Sequence, residues 1–157
     1  MKKLLLVLLA AFIVIQFFRP ARNKGNAVTA QEITQLYAVP AHVQEILHKA
    51  CYDCHSNSTR YPWYSNIQPV AWWMDDHVQE GKGELNFSEF GSYTPQRQAK
   101  KLKKCAKEVE EGEMPLDSYT WQHADAKLTA EEKAALESWA RNLSAQIAGL
   151  VPAGPKK

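Results

Sequence analysis

Apolar positions fall along this chain in two distinct ways. The first is an unbroken run from Leu4 to Phe18 with Gln16 as its only polar member, preceded by Lys2 and Lys3 and followed by Arg19, Arg22 and Lys24. Beyond it, apolar side chains recur at steps of three and four, the period of a helix with one buried face. Val43, Ile46, Leu47 and Ala50 predict a helix that starts near Pro40, a residue suited to a first turn, and delivers the chain to Cys51. Val70, Trp73, Met74, His77 and Val78 predict a second over 69–80, ended by Gly81 and Gly83. Ala99, Leu102, Cys105, Ala106 and Val109 predict a third over 95–111, stopped by Gly112. The last carries Leu136, Trp139, Ala140, Leu143 and Ile147 on one face and opens with Thr129 and Glu132 in capping-box spacing. Residues 56–68 show no helical period and read as an aromatic loop. Strand alternation and internal repeats are both missing from the pattern, so the expected fold class is all-α.

The N-terminal run has the basic start and apolar stretch of an export signal, but no small-residue cleavage site follows it. It is therefore expected to remain as a signal-anchor over residues 1–18. Its apolar length is short of the roughly 20 residues that span hydrocarbon upright, although flanking basic side chains can snorkel to extend the reach. Residues 19–39 are small and polar and read as a tether. The expected location is the cell envelope, with the chain anchored in the inner membrane and the domain in the periplasm.

At 157 residues the chain has room for one ordinary domain beyond this leader. The formal charge of +2 conceals an uneven distribution, because five of the 19 basic residues and none of the 17 acidic ones lie in the first 24 positions. The remainder has 14 basic against 17 acidic side chains. A mildly acidic body without a basic stripe excludes nucleic acid as a partner, since such binding rests on phosphate neutralisation.

Cysteine spacing adds specific chemistry. Cys51-Tyr52-Asp53-Cys54-His55 is the C-x-x-C-H arrangement of c-type haem attachment: two thiols three positions apart reach the two vinyl groups of one haem, and the following imidazole falls beneath the iron. Rival readings are weaker. A thioredoxin-like redox pair needs a βαβ surround, a structural zinc needs a second ligand pair, and a plain disulfide leaves His55 unexplained. One covalent haem c is the expected cofactor. Cys105 reads as a small apolar residue on the stripe of its helix.

With the stretches CYDCHSNSTRYPWYSN and EGEMPLDSYTWQHADAKLTAEE and the helix of Trp139, the chain resembles class I cytochrome c, and more closely the small haem-binding domain proteins of bacterial envelopes, over about residues 36 to 145. The resemblance implies a cytochrome c-like helical domain at 40–148, a flexible tail at 149–157, and a methionine as sixth iron ligand in the loop before the last helix. Met114 occupies that loop, after Gly112 and before Pro115; Met74 and His77 on the second helix, and His123, are the competing ligands. A proline carbonyl, from Pro62 or Pro69, is expected to hold the ring of His55, and Arg60 is a candidate for the haem propionates. The expected function is electron transfer with other redox proteins at the membrane, not enzymatic catalysis. The alternative is a peroxidase-like haem enzyme or a haem-based sensor with an open or displaceable sixth position.

Overall fold

Eight helices and three short 3-10 turns make up the computed structural model of the chain, which describes residues 1–150. No strand forms among them; the only ladder contact is an isolated bridge between Lys24 and Ser58. The fold is all-helical, as the periodicity indicates. The expected tail at 149–157 lies, from 151 onward, outside the described residues, and the last helix runs as far as Gly149.

Three of the helices that periodicity located form the framework. Helix α3 (Ala41–Ala50) buries Val43, Ile46, Leu47 and Ala50. Helix α6 (Pro95–Glu111) buries Ala99, Leu102, Ala106 and Val109, and α8 (Ala130–Gly149) buries Leu136, Trp139, Ala140, Leu143 and Ile147. All three stripes meet in one core that also contains Phe87 and Phe90. Local chemistry sets the ends of these helices. Thr94 caps α6 through its side chain, Pro95 begins it, and Gly112 ends it in the left-handed conformation at φ 79°. The capping box of α8 is complete, with Thr129 and Glu132 each accepting from the other's backbone N–H. Glu132 also pairs with Lys49 at 2.6 Å, joining the start of α8 to the end of α3.

Helix α5 (Val70–Glu84) corrects one expectation, since it runs straight through both glycines that were to end it. Gly81 is there for packing. A Cβ at this position would lie 2.8 Å from the carbonyl oxygen of Cys54 and 3.0 Å from its Cβ, so only glycine lets the helix approach the Cys51–His55 turn this closely. A Cβ on Gly83 would have no neighbouring segment within 4 Å. Gly81→Val is therefore expected to lower stability by about 1–3 kcal/mol, the usual cost of overpacking. Gly83→Ala should be neutral or stabilising by up to about 1 kcal/mol, because alanine relieves the entropy cost of a helical glycine. Urea denaturation midpoints of the two variants would check the contrast.

Residues 19–39 also depart from expectation, because the stretch read as a tether is packed onto the body. Ile33 on the short helix α2 (Ile33–Leu36) and Val39 belong to the core. The Glu32 carboxylate is buried and accepts from the Tyr52 hydroxyl at 2.5 Å. Further upstream, the Asn23 amide donates to the Ser56 carbonyl and the Thr59 hydroxyl, both at 2.9 Å, and Gly25 N–H donates to the Asn57 carbonyl. Small polar residues suit such a path: they leave backbone groups free to pair with another loop. Helix α1 (Lys2–Ile15) precedes this segment and buries none of its residues. No helix among the described residues is long and apolar enough to cross a membrane.

Candidate functional site

Helix α3 ends at Cys51, and a single further turn, α4 (Tyr52–His55), carries the rest of the motif. Backbone bonds from the N–H groups of Cys54 and His55 both return to the Cys51 carbonyl, at 3.2 and 2.9 Å. This turn sets the two thiols and the imidazole on one short, rigid segment. All three cysteines are free. Burial pushes the Cys54 thiol up to about 11 and that of Cys105 up to about 12. The Cys51 thiol is raised further, chiefly by burial and then by the neighbouring Cys105 and Cys54 sulfurs. They stand as neutral thiols near pH 7. Cys105 packs against the main core, as its stripe position implied, and so do Cys51 and Met114.

The His55 ring is held by its Nδ1, 2.9 Å from the carbonyl oxygen of Leu85 at the end of α5. This bond selects the tautomer with the proton on Nδ1 and leaves Nε2 with its lone pair free. Burial lowers the pKa of His55, an effect partly opposed by its backbone hydrogen bonds, so the ring is neutral at physiological pH. The expected partners, Pro62 and Pro69, do not fill this role. Residues 62–69 form a 3-10 turn, Trp63–Asn66, and the entry to α5, whereas the far end of α5 passes beside His55 because Gly81 permits it.

Asp53, between the two cysteines, is buried and collects donors. It accepts from Arg60 N–H at 3.0 Å, from the Arg60 guanidinium at 3.1–3.2 Å, and from the Tyr119 hydroxyl at 2.7 Å. Arg60 thus pairs with Asp53 while its side chain stays 63% exposed. Tyr119 sits on α7 (Asp117–Gln122) in the stretch that follows Met114, and its ring stacks on His123 at 4.3 Å. A hydrogen bond between residues 66 apart in sequence therefore ties the Met114 segment to the motif. Nothing in the periodicity marks Asp53, Tyr119 or Leu85. The position of Asp53 inside the motif was the only available signal.

Met114 follows the left-handed Gly112, and its N–H, like that of Glu113, returns to the Glu108 carbonyl. Its backbone is consequently fixed to the end of α6. Its competitors have other surroundings. Met74 lines a groove with Arg19, Ala21, Arg22 and Tyr61, and His77 turns its Nδ1 onto the Trp73 carbonyl at 2.8 Å while its ring packs at a tilt against that of Trp73, centroids 4.5 Å apart. His123 lies on Tyr119 with its Nδ1 3.1 Å from the Tyr119 carbonyl. Two surface cavities among the described residues lie elsewhere. One of about 330 Å³ is lined by His42, Val43, Trp139 and Asn142 between α3 and α8, and neither it nor the Met74 groove borders Cys51, Cys54 or His55.

These donors suit a haem. Two unbridged thiols on one turn, an adjacent neutral imidazole with a free Nε2, and a thioether on a fixed loop are the side-chain chemistry that a haem iron and its porphyrin edge require. Among curated proteins and among solved structures, none matches the chain. One family model does match, that of the haem-binding domain, over residues 10–142, a span that takes in the motif, Met114 and most of α8. The chain belongs to the haem-binding domain family.

Proposed function

We propose that this haem-binding protein is a mono-haem c-type cytochrome, tethered to the membrane by residues 1–18, that transfers electrons between redox proteins in the cell envelope. The observation that carries the reading is the His55 ring, held through Nδ1 on the Leu85 carbonyl beside two free thiols. That arrangement supports covalent attachment through Cys51 and Cys54 with His55 as proximal ligand. Haem supplies reversible one-electron chemistry at iron, and a Met/His ligand pair raises its potential. The chain contributes rigidity. Cys51 closes α3, Gly81 presses α5 against Cys54, and the Asp53–Tyr119 bond holds the segment after Met114 against the motif. Small rearrangement between oxidation states is what fast electron transfer asks of a protein.

An absorption spectrum of the full-length protein with a carbon monoxide titration tests the reading. Six-coordinate low-spin iron that does not take up carbon monoxide is expected. Five-coordinate high-spin iron that binds it readily would overturn electron transfer in favour of a peroxidase-like or sensory role.

A further inference from the structure

Gln16, the one polar residue in the N-terminal apolar run, has a structural partner. Its side-chain amide pairs with the backbone of Gln68: Gln68 N–H donates to Oε1 at 2.9 Å and Nε2 faces the Gln68 carbonyl at 3.4 Å. Two residues on, the Phe18 carbonyl accepts from Gln68 Nε2 at 2.7 Å and from the Trp72 indole N–H at 2.9 Å. The exit of α1 is thus fastened at one place on the body, the turn that leads into α5. Large apolar side chains are exposed on the two segments that meet there, Phe17 and Phe18 on one and Trp63, Ile67, Trp72 and Trp73 on the other. Trp63 is 76% exposed, Phe17 81%, Phe18 63% and Trp73 48%, with Ile67 and Trp72 also exposed. Soluble monomers rarely leave so many large apolar groups together in water.

We infer that this aromatic face docks in the headgroup layer of a phospholipid bilayer, so that the haem domain lies on the membrane surface instead of swinging from a tether. The inference rests on the membrane reading of residues 1–18. Four observations converge on a lipid occupant. The patch follows in the chain from α1, whose apolar side chains are exposed from Leu4 to Val14. At 1.5 Å per residue a helix of this size reaches about 20 Å, less than the roughly 30 Å hydrocarbon core, so α1 by itself leaves its domain end close to the interface. Half of the exposed groups are tryptophans, whose apolar rings and indole N–H suit the boundary between hydrocarbon and water. Cations flank the patch: Arg19 and Arg22 line the groove beside it, with Arg22 bonded to Asn66 and lying 4.8 Å from the Tyr61 ring centre, although Asp75 lines the same groove. Apolar insertion, with the arginines at headgroup level, is the dominant interaction.

The test uses the full-length haem-loaded protein in vesicles of phosphatidylcholine and phosphatidylglycerol that contain a photoactivatable diazirine lipid, with tryptic peptides read by mass spectrometry. Lipid adducts are expected on the peptides 4–22 and 61–82, with the α8 peptide 134–141 as the unlabelled baseline. Trp63→Ser with Trp73→Ser should drop labelling of 61–82 towards that baseline while 4–22 stays labelled; both side chains are exposed, so the haem spectrum should not change. Label on 4–22 with 61–82 at baseline in the unaltered protein would overturn the docking face and leave the anchor standing. No label on either peptide would remove the membrane reading and the docking face together. Crosslinks from 61–82 to a second copy of the chain, without lipid adducts, would overturn the lipid assignment.

Discussion

Replacing Cys51 and Cys54 together by serine is expected to convert a haem that survives acid-acetone extraction into one lost completely to the solvent. Thioether bonds withstand acid and organic solvent, whereas a bond from His55 to iron alone fails once the imidazole is protonated. The effect is all or none, which makes it the largest change a conservative substitution should produce here. The scaffold should tolerate it. Serine is slightly smaller than cysteine, and a partly buried hydroxyl costs about 1–3 kcal/mol in protein settings when it lacks a partner. The helices of α3, α6 and α8 are held by a core to which both thiols are peripheral. Far-ultraviolet circular dichroism should accordingly retain its helical signal in the double variant. Intact mass should show one haem on the unaltered chain, since the chain has one C-x-x-C-H motif. Haem released from the unaltered protein would refute covalent attachment.

Met114→Ala should abolish the weak near-infrared charge-transfer band of a methionine–iron bond in the oxidised protein, admit carbon monoxide to the reduced iron, and lower the reduction potential. A decrease on the order of 0.1 V is expected, a fraction of the roughly 0.8 V range that axial ligands span. The placement of Met114 supports it over its rivals. The Glu108 carbonyl fixes its backbone, Tyr119 fastens the following segment to Asp53, and its side chain packs against the same core as Cys51. Met74 instead lines the groove that holds Arg19 and Arg22, and His77 is engaged with Trp73. If Met114→Ala leaves the spectrum unchanged while Met74→Ala or His77→Ala alters it, the sixth ligand lies on α5 and the electron-transfer geometry proposed here fails.

What could be read from sequence was whatever depends on neighbours in the chain. The stripe of α3, the Thr129–Glu132 box, the Gly112 stop and the spacing of Cys51, Cys54 and His55 all involve residues one helical turn or less from their partners along a stripe or motif. Periodicity and capping act over that range, so they are legible without a fold. The short elements α2 and α7 escaped notice because a helix of four or six residues has too few turns to display a period.

Gly81 illustrates the opposite case. A glycine near the end of an apolar stripe has the same appearance whether it stops a helix or admits a neighbour, and only the approach of Cys54 distinguishes the two. The same holds for the acceptor of His55, which is the carbonyl of Leu85: every residue but its identity as a neighbour offers the same group, so no side chain could announce it. The seating of residues 19–39 was likewise hidden, because polar residues that pair with a distant loop have the composition of a free linker. By itself, then, the sequence determined the helical class, the principal helices and the donor set of the motif, through local periodicity and covalent spacing. Tertiary structure alone decided which carbonyl orients His55, that Asp53 and Tyr119 join the motif to the Met114 segment, and where α1 leaves the body. Those contacts link positions 30 to 66 residues apart, and their energy appears only once the core has brought the chain segments together.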